Sequence, residues 1–111
     1  MIYTRTIIKR EKEGIDRLRT EARAGARKVA ELLKNKYGAK RVILFGSLVS
    51  KKYLHKRSDI DLLVEGIEKD DFLRAGFDAS VIAKPFEVDI IPIETADKEI
   101  LERAKKEGVD L

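Results

Sequence analysis

The chain contains no cysteine and no tryptophan, a single histidine and a single methionine. The absence of cysteine excludes disulfides and thiolate metal sites and fits a cytosolic compartment. Proline is scarce too, with two residues, so little interrupts helix or strand. No apolar run approaches the roughly 20 residues of a membrane span, so no membrane association is expected. The opening "MIYTRTIIKREKEG" lacks an uninterrupted apolar core and a small-residue cleavage site, so no secretory signal is expected. Phosphate-binding signatures are missing as well: no Gly-Lys-Ser/Thr of a Walker A loop occurs, nor G-x-G-x-x-G. "DIDLLV" lacks the third ligand and the glycine of a calcium loop.

What is present is aliphatic and charged: 43% of the residues are hydrophobic, only 6% aromatic, and 40% charged. A chain of 111 residues is expected to form one compact domain with a modest aliphatic core, 1–111. On that expectation there is no room for a separate substrate-binding domain, and a second chain is expected to complete the site for any large acceptor. The net charge of +4 hides an asymmetry. Residues 1–41 carry 13 Lys/Arg against 5 Asp/Glu, while residues 42–111 carry 11 against 15. A basic first part can attract nucleic acid or an acidic protein. The plainer reading is the solvated face of an amphipathic helix, and nucleic acid is not the favoured partner.

Ile15, Leu18, Ala22, Ala26, Val29 and Leu33 recur at helical spacing and predict an amphipathic helix from about Gly14 to Tyr37. Gly38 stands in the C-cap position. "RVILF" reads as a buried strand ended by Gly46, after which Ser47 can cap a short helix to about Tyr53. "DIDLLVE" is a second strand stopped by Gly66. A second helix runs from Asp70 or Asp71 to about Lys84, with Phe72, Ala75, Ala79 and Ile82 on its apolar side. Pro85 breaks it, "FEVDIIPIE" forms a third strand, and Thr95 caps a last helix ending at Gly108. Phe72, Phe77 and Phe86 read as core. The order α-β-(α)-β-α-β-α predicts a small two-layer or three-layer mixed sheet covered by helices, fold class α+β.

Asp59 and Asp61 interrupt the second strand. Residues i and i+2 of a strand share a face, with Cα atoms about 6.5–7 Å apart. Two carboxylates at that separation repel by roughly 2–3 kcal/mol at an effective dielectric near 20. Burial adds several kcal/mol for each charge. A divalent cation between them turns repulsion into shared coordination. Asp89 repeats the anomaly in the third strand and can face the same cavity if the strands are neighbours. Three such carboxylates suit Mg²⁺ or Mn²⁺ held partly through substrate phosphates. The competing reading makes Asp59 a turn residue, Asp61 an exposed strand position and Asp89 an edge position. Gly46 and Ser47 strengthen the first reading, because a glycine and a serine between strand and helix let a backbone approach phosphate closely.

"FGSLVSKKYLHKRSDIDLLV" (Phe45 to Val64) resembles the Gly-Ser…Asp-x-Asp signature of the DNA polymerase β-like nucleotidyltransferases. The short length resembles the minimal nucleotidyltransferase (MNT) branch, commonly paired with HEPN-domain toxins. The resemblance spans about Val29 to Leu111, and it makes 39–111 the expected catalytic core behind a basic helical region, 1–38. It implies that Gly46 and Ser47 hold the triphosphate of ATP or another NTP. It further implies that Asp59 and Asp61 bind two Mg²⁺ ions, and that Asp89 completes one metal site and helps deprotonate the attacking hydroxyl. The three aspartates are thus the candidate catalytic residues. Leu48 to Ser58 makes eleven residues between the motifs, one more than the family's usual spacing. Leu48, Val49, Ser50 and Lys51 stand where the family often has an arginine and a glycine.

Lys51, Lys52, Lys56 and Arg57 can add positive charge toward the triphosphate or form a plain solvated loop, and His55 reads as a surface residue. Tyr3, Tyr37 and Tyr53 offer hydroxyls. The expected function is Mg²⁺-dependent transfer of a nucleoside monophosphate, AMP from ATP by the resemblance, to a hydroxyl of a HEPN-type toxin. The alternatives are an antitoxin acting by contact alone and a small-molecule nucleotidyltransferase.

Overall fold

The computed structural model describes residues 2–49 and 59–111, and for 2–13, 15 and 47 it describes the backbone alone. Helix α1 (Ile2–Tyr37) leads into β1 (Arg41–Phe45) and a single 3₁₀ turn, Gly46–Leu48. Then follow β2 (Ile60–Glu65), a 3₁₀ turn at Lys69–Asp71, α2 (Phe72–Ala83), β3 (Val88–Pro92), α3 (Lys98–Glu107) and β4 (Val109–Asp110). The four strands form one mixed sheet in the order β3-β2-β1-β4. β1 pairs antiparallel with β2 and β4, and β2 pairs parallel with β3. The α2 crossover makes the parallel pair possible, since two parallel strands cannot be joined by a hairpin.

α1 begins about twelve residues earlier than its apolar periodicity suggests, because a Lys/Arg/Glu-rich segment has good helix propensity without any apolar stripe. Its 36 residues correspond to about 54 Å of helix and set the long axis of a molecule measuring 57 × 28 × 20 Å. Ala22, Ala26, Val29, Ala30 and Leu33 are buried against the sheet, whereas Leu18 is 56% exposed. Gly38, at φ 71°, ends the helix, and the Ala39 N–H turns back to the Leu33 carbonyl. Tyr37 and Lys36 both donate to Asp78 Oδ2 and clasp the end of α1 to α2. The Tyr37 hydroxyl hydrogen bond and then Lys36 hold the Asp78 carboxyl below the usual carboxylate range. The same hydrogen bond raises Tyr37 above the usual phenol range.

The core has two parts, one on each face of the sheet. Val42, Leu44, Ile60, Leu62 and Val64 pack under α1 and α2, together with Ala75, Ala79 and Ala83. Ile43, Phe45 and Leu63 pack under α3 with Ala104.

Several local expectations are corrected. Asp97, not Thr95, caps α3: its Oδ1 accepts the Ile100 N–H at 2.9 Å, while Thr95 sits in the turn after Pro92. Asp97 has the extended backbone an N-cap requires, immediately before the first helical residue. Ser47 lies inside the 3₁₀ turn, whose N-cap position is Phe45. β4 was not anticipated, since two residues carry no periodicity. Phe77 is not core: it is 70% exposed, because the buried stripe of α2 is formed by its alanines, and Ile82 is 39% exposed for the same reason. Phe72 and Phe86 are half-buried, and Phe86 packs against the core under α1 and α2.

Candidate active site

Asp61 lies in β2 directly opposite Phe45 of β1 and Asp89 of β3. Cross-strand partners share a face, so the two aspartates stand side by side with Cα atoms about 4.8 Å apart, the spacing of adjacent strands. The parity of β2 and β3 puts both on the α3 face, in line with Leu63 and Ile91. Asp61 is only 2% exposed, the sole buried charged residue among those described, while Asp89 is exposed. A buried carboxylate beside a second carboxylate is electrostatically costly, and a cation offsets both the burial and the repulsion.

Gly46 closes the site from the β1 side. Its φ of +82° favours glycine, and a Cβ there would overlap Asp61 Oδ2. Glycine is therefore required twice over: by the backbone and by the carboxylate lying against it. The 3₁₀ turn that follows is closed by the Val49 N–H on the Gly46 carbonyl at 3.1 Å. Arg23 of α1 donates to the Leu48 carbonyl at 2.6 Å and ties this turn to the helix. Nothing in the sequence singles out Arg23, which is one of many cations along α1.

Asp59 occupies the bend before β2 and is exposed. Its Oδ2 accepts the Glu87 N–H at 3.0 Å, and the Glu87 carbonyl accepts the N–H groups of Asp59 and Ile60. These bonds fix the start of β2 against the residue preceding β3, and they leave the second oxygen of Asp59 outside the bond to Glu87. Among the described residues, no group of three His, Cys, Asp or Glu side chains is gathered closely enough to hold a metal ion. What the fold brings together is the Asp61–Asp89 pair with Gly46, and Asp59 lies one bend away. The donor set, all hard oxygen, fits Mg²⁺ or Mn²⁺ in kind.

Of Ser47 only the backbone is described, within the turn. Ser50, Lys51, Lys52, Tyr53, His55, Lys56 and Arg57, the cations and hydroxyls expected beside a triphosphate, lie outside the described residues. No described helix is long and apolar enough to cross a membrane.

Residues 27–111 match the family model described as Polymerase beta, Nucleotidyltransferase. No curated protein matches the chain in sequence. Among solved structures, one described as tri-AMPylated Shewanella oneidensis HEPN toxin in complex with MNT antitoxin is similar, with a TM-score of 0.59 and 18% identity. The match covers 80% of this chain and 70% of that one. At that identity the likeness is one of fold.

Proposed function

Since the chain belongs to the polymerase β nucleotidyltransferase family, we propose that it transfers AMP from ATP to a hydroxyl of a partner protein with release of pyrophosphate, as the MNT antitoxin of a HEPN toxin in the cytoplasm. The observation that carries this reading is the in-register pair Asp61–Asp89 with Gly46 against the buried carboxylate. In this reading Asp61 and Asp89, with the free oxygen of Asp59, hold two Mg²⁺ ions. Bound there, the ions supply charge neutralisation on the triphosphate and activation of an acceptor hydroxyl. Gly46 and Ser47 cradle the phosphates, and the Arg23 bond to Leu48 holds that cradle in place. Asp89, exposed beside buried Asp61, is the carboxylate placed to accept the acceptor hydroxyl's proton. The similar fold found with a tri-AMPylated HEPN toxin supports the choice of acceptor and of transferred group.

The test is thermal unfolding with ATP, with and without Mg²⁺, on wild type and Asp61→Asn, followed by mass spectrometry of a co-purified partner. A Mg²⁺-dependent rise in wild type alone, with one or more AMP units added to the partner, is the expected result. A partner that binds tightly and never gains AMP in the presence of Mg²⁺ and ATP refutes the catalytic reading. The Glu87 N–H on Asp59 favours a second reading in that event, since a carboxylate serving as a turn clamp suits an antitoxin that acts by contact.

A further inference from the structure

Helix α2 is built inside out. Its buried stripe is Ala75, Ala79 and Ala83, each at most 1% exposed. Its large apolar residues point the other way: Leu73 is 87% exposed, Phe77 70% and Val81 49%. The two stripes differ by two residues, about 200° around a helix, so the outer one cannot reach the core while the alanines hold theirs. Single exposed apolar residues are ordinary, but an unbroken i, i+4, i+8 line of them marks a contact surface.

The line is also arranged symmetrically. Leu73 and Val81 each lie four residues from Phe77. Beyond the helix at either end stand Asp70, in the preceding 3₁₀ turn, and Lys84, directly after Ala83. Both are exposed and without an ionic partner among the described residues, and each lies seven residues from Phe77. Phe72 and Ile82 lie five away. Phe72 lines an open groove of about 760 Å³, together with Ile67, Leu73 and Pro92, and Ile82 is 39% exposed.

We propose that this face is a two-fold interface between two copies of the chain, with the α2 helices antiparallel and crossing at Phe77. In that arrangement Phe77 meets Phe77, Leu73 meets Val81, and Ile82 of the second copy enters the groove beside Phe72. Asp70 of each copy then meets Lys84 of the other at both ends. A parallel pairing would set Asp70 against Asp70 and Lys84 against Lys84, so charge selects the antiparallel one. Such an interface is isologous and closes at two copies. It lies on the α1/α2 side of the sheet, opposite Asp61 and Asp89, and so leaves the carboxylates open to a substrate or another protein.

The test is the mass of the full chain in solution by light scattering over a concentration series. Wild type should reach the mass of two chains and fall toward one on dilution. Phe77→Glu should stay at one chain throughout with unchanged far-ultraviolet circular dichroism, since the position is outside the core. Asp70→Lys should weaken association several-fold, and Asp70→Lys with Lys84→Asp should restore it. A wild type that remains a single chain at every concentration overturns the proposal, as does a dimer that survives Phe77→Glu. Failure of the charge exchange to restore association overturns the antiparallel register.

Discussion

The two faces of the sheet are made from the same strands and do different work. Toward α1 and α2, β1 and β2 present only Val42, Leu44, Ile60, Leu62 and Val64, closed over by two helices. Toward α3 the alternate positions present Ile43, Phe45 and Leu63, and then Asp61, with Asp89 beside it. That face is covered by a single helix of ten residues, and its carboxylates stand at the end of the sheet where β1 turns at Gly46. A strand of period two can thus belong to a core on one side and a charged site on the other. The stability of the first face tolerates the electrostatic cost of the second.

The comparison breaks if stability and chemistry cannot be separated by face. The largest effect is expected on the closed face: Leu62→Ala should cost about 3–5 kcal/mol, the upper part of the range for buried leucines, because two helices rest on it. Chemical denaturation measures this, and Leu63→Ala under α3 should fall nearer 2–3 kcal/mol. Equal losses would mean the faces contribute alike. Next comes Asp89→Asn, expected to slow transfer by roughly 100-fold or more, given that second-sphere partners alone reach 10–100-fold. Nucleotide binding should change much less, since Asp61 and Asp59 remain. Equal loss of binding and transfer, read by calorimetry beside a transfer assay, would contradict a proton-accepting role.

Gly46→Ala tests the junction of the two faces. A left-handed backbone costs a non-glycine residue about 1–3 kcal/mol, and the new Cβ displaces the Asp61 carboxylate. Both melting temperature and metal-dependent nucleotide binding should fall; an unchanged protein would show that the turn adapts freely.

The smallest effect concerns the clasp of Asp78 with Tyr37 and Lys36. The lowered Asp78 pKa stabilises the fold above the ordinary carboxylate value of about 3.9 and is lost as pH falls through the depressed one. The raised Tyr37 pKa stabilises it below about 10 and is lost as pH rises through the elevated one. Asp78→Asn should flatten both edges of the stability profile and leave the middle slightly lower. A profile unchanged at acid pH would mean the clasp contributes nothing.

The local chemistry of the chain was determined by sequence alone. The helical repeat in α1, the stop at Gly38, the buried run of β1, and Asp61 and Asp89 as charges inside apolar strands all follow from near neighbours. Asp59, expected on the strand face beside Asp61, instead stands in the exposed bend before β2, because its carboxylate and backbone bond to Glu87. Period, caps and turn glycines act within a few residues, so they are legible without a fold. Tertiary structure decided how those pieces meet. It set β3 parallel to β2 so that Asp89 falls opposite Asp61 rather than one residue off, and it laid Gly46 against a buried carboxylate. It turned α2 so that its alanines, not Phe77, face inward. Pattern alone ranks phenylalanine above alanine as core, but close approach of α2 to α1 and the sheet favours the smaller side chain. Strand register and helix rotation depend on partners distant in the chain, and no local preference specifies them.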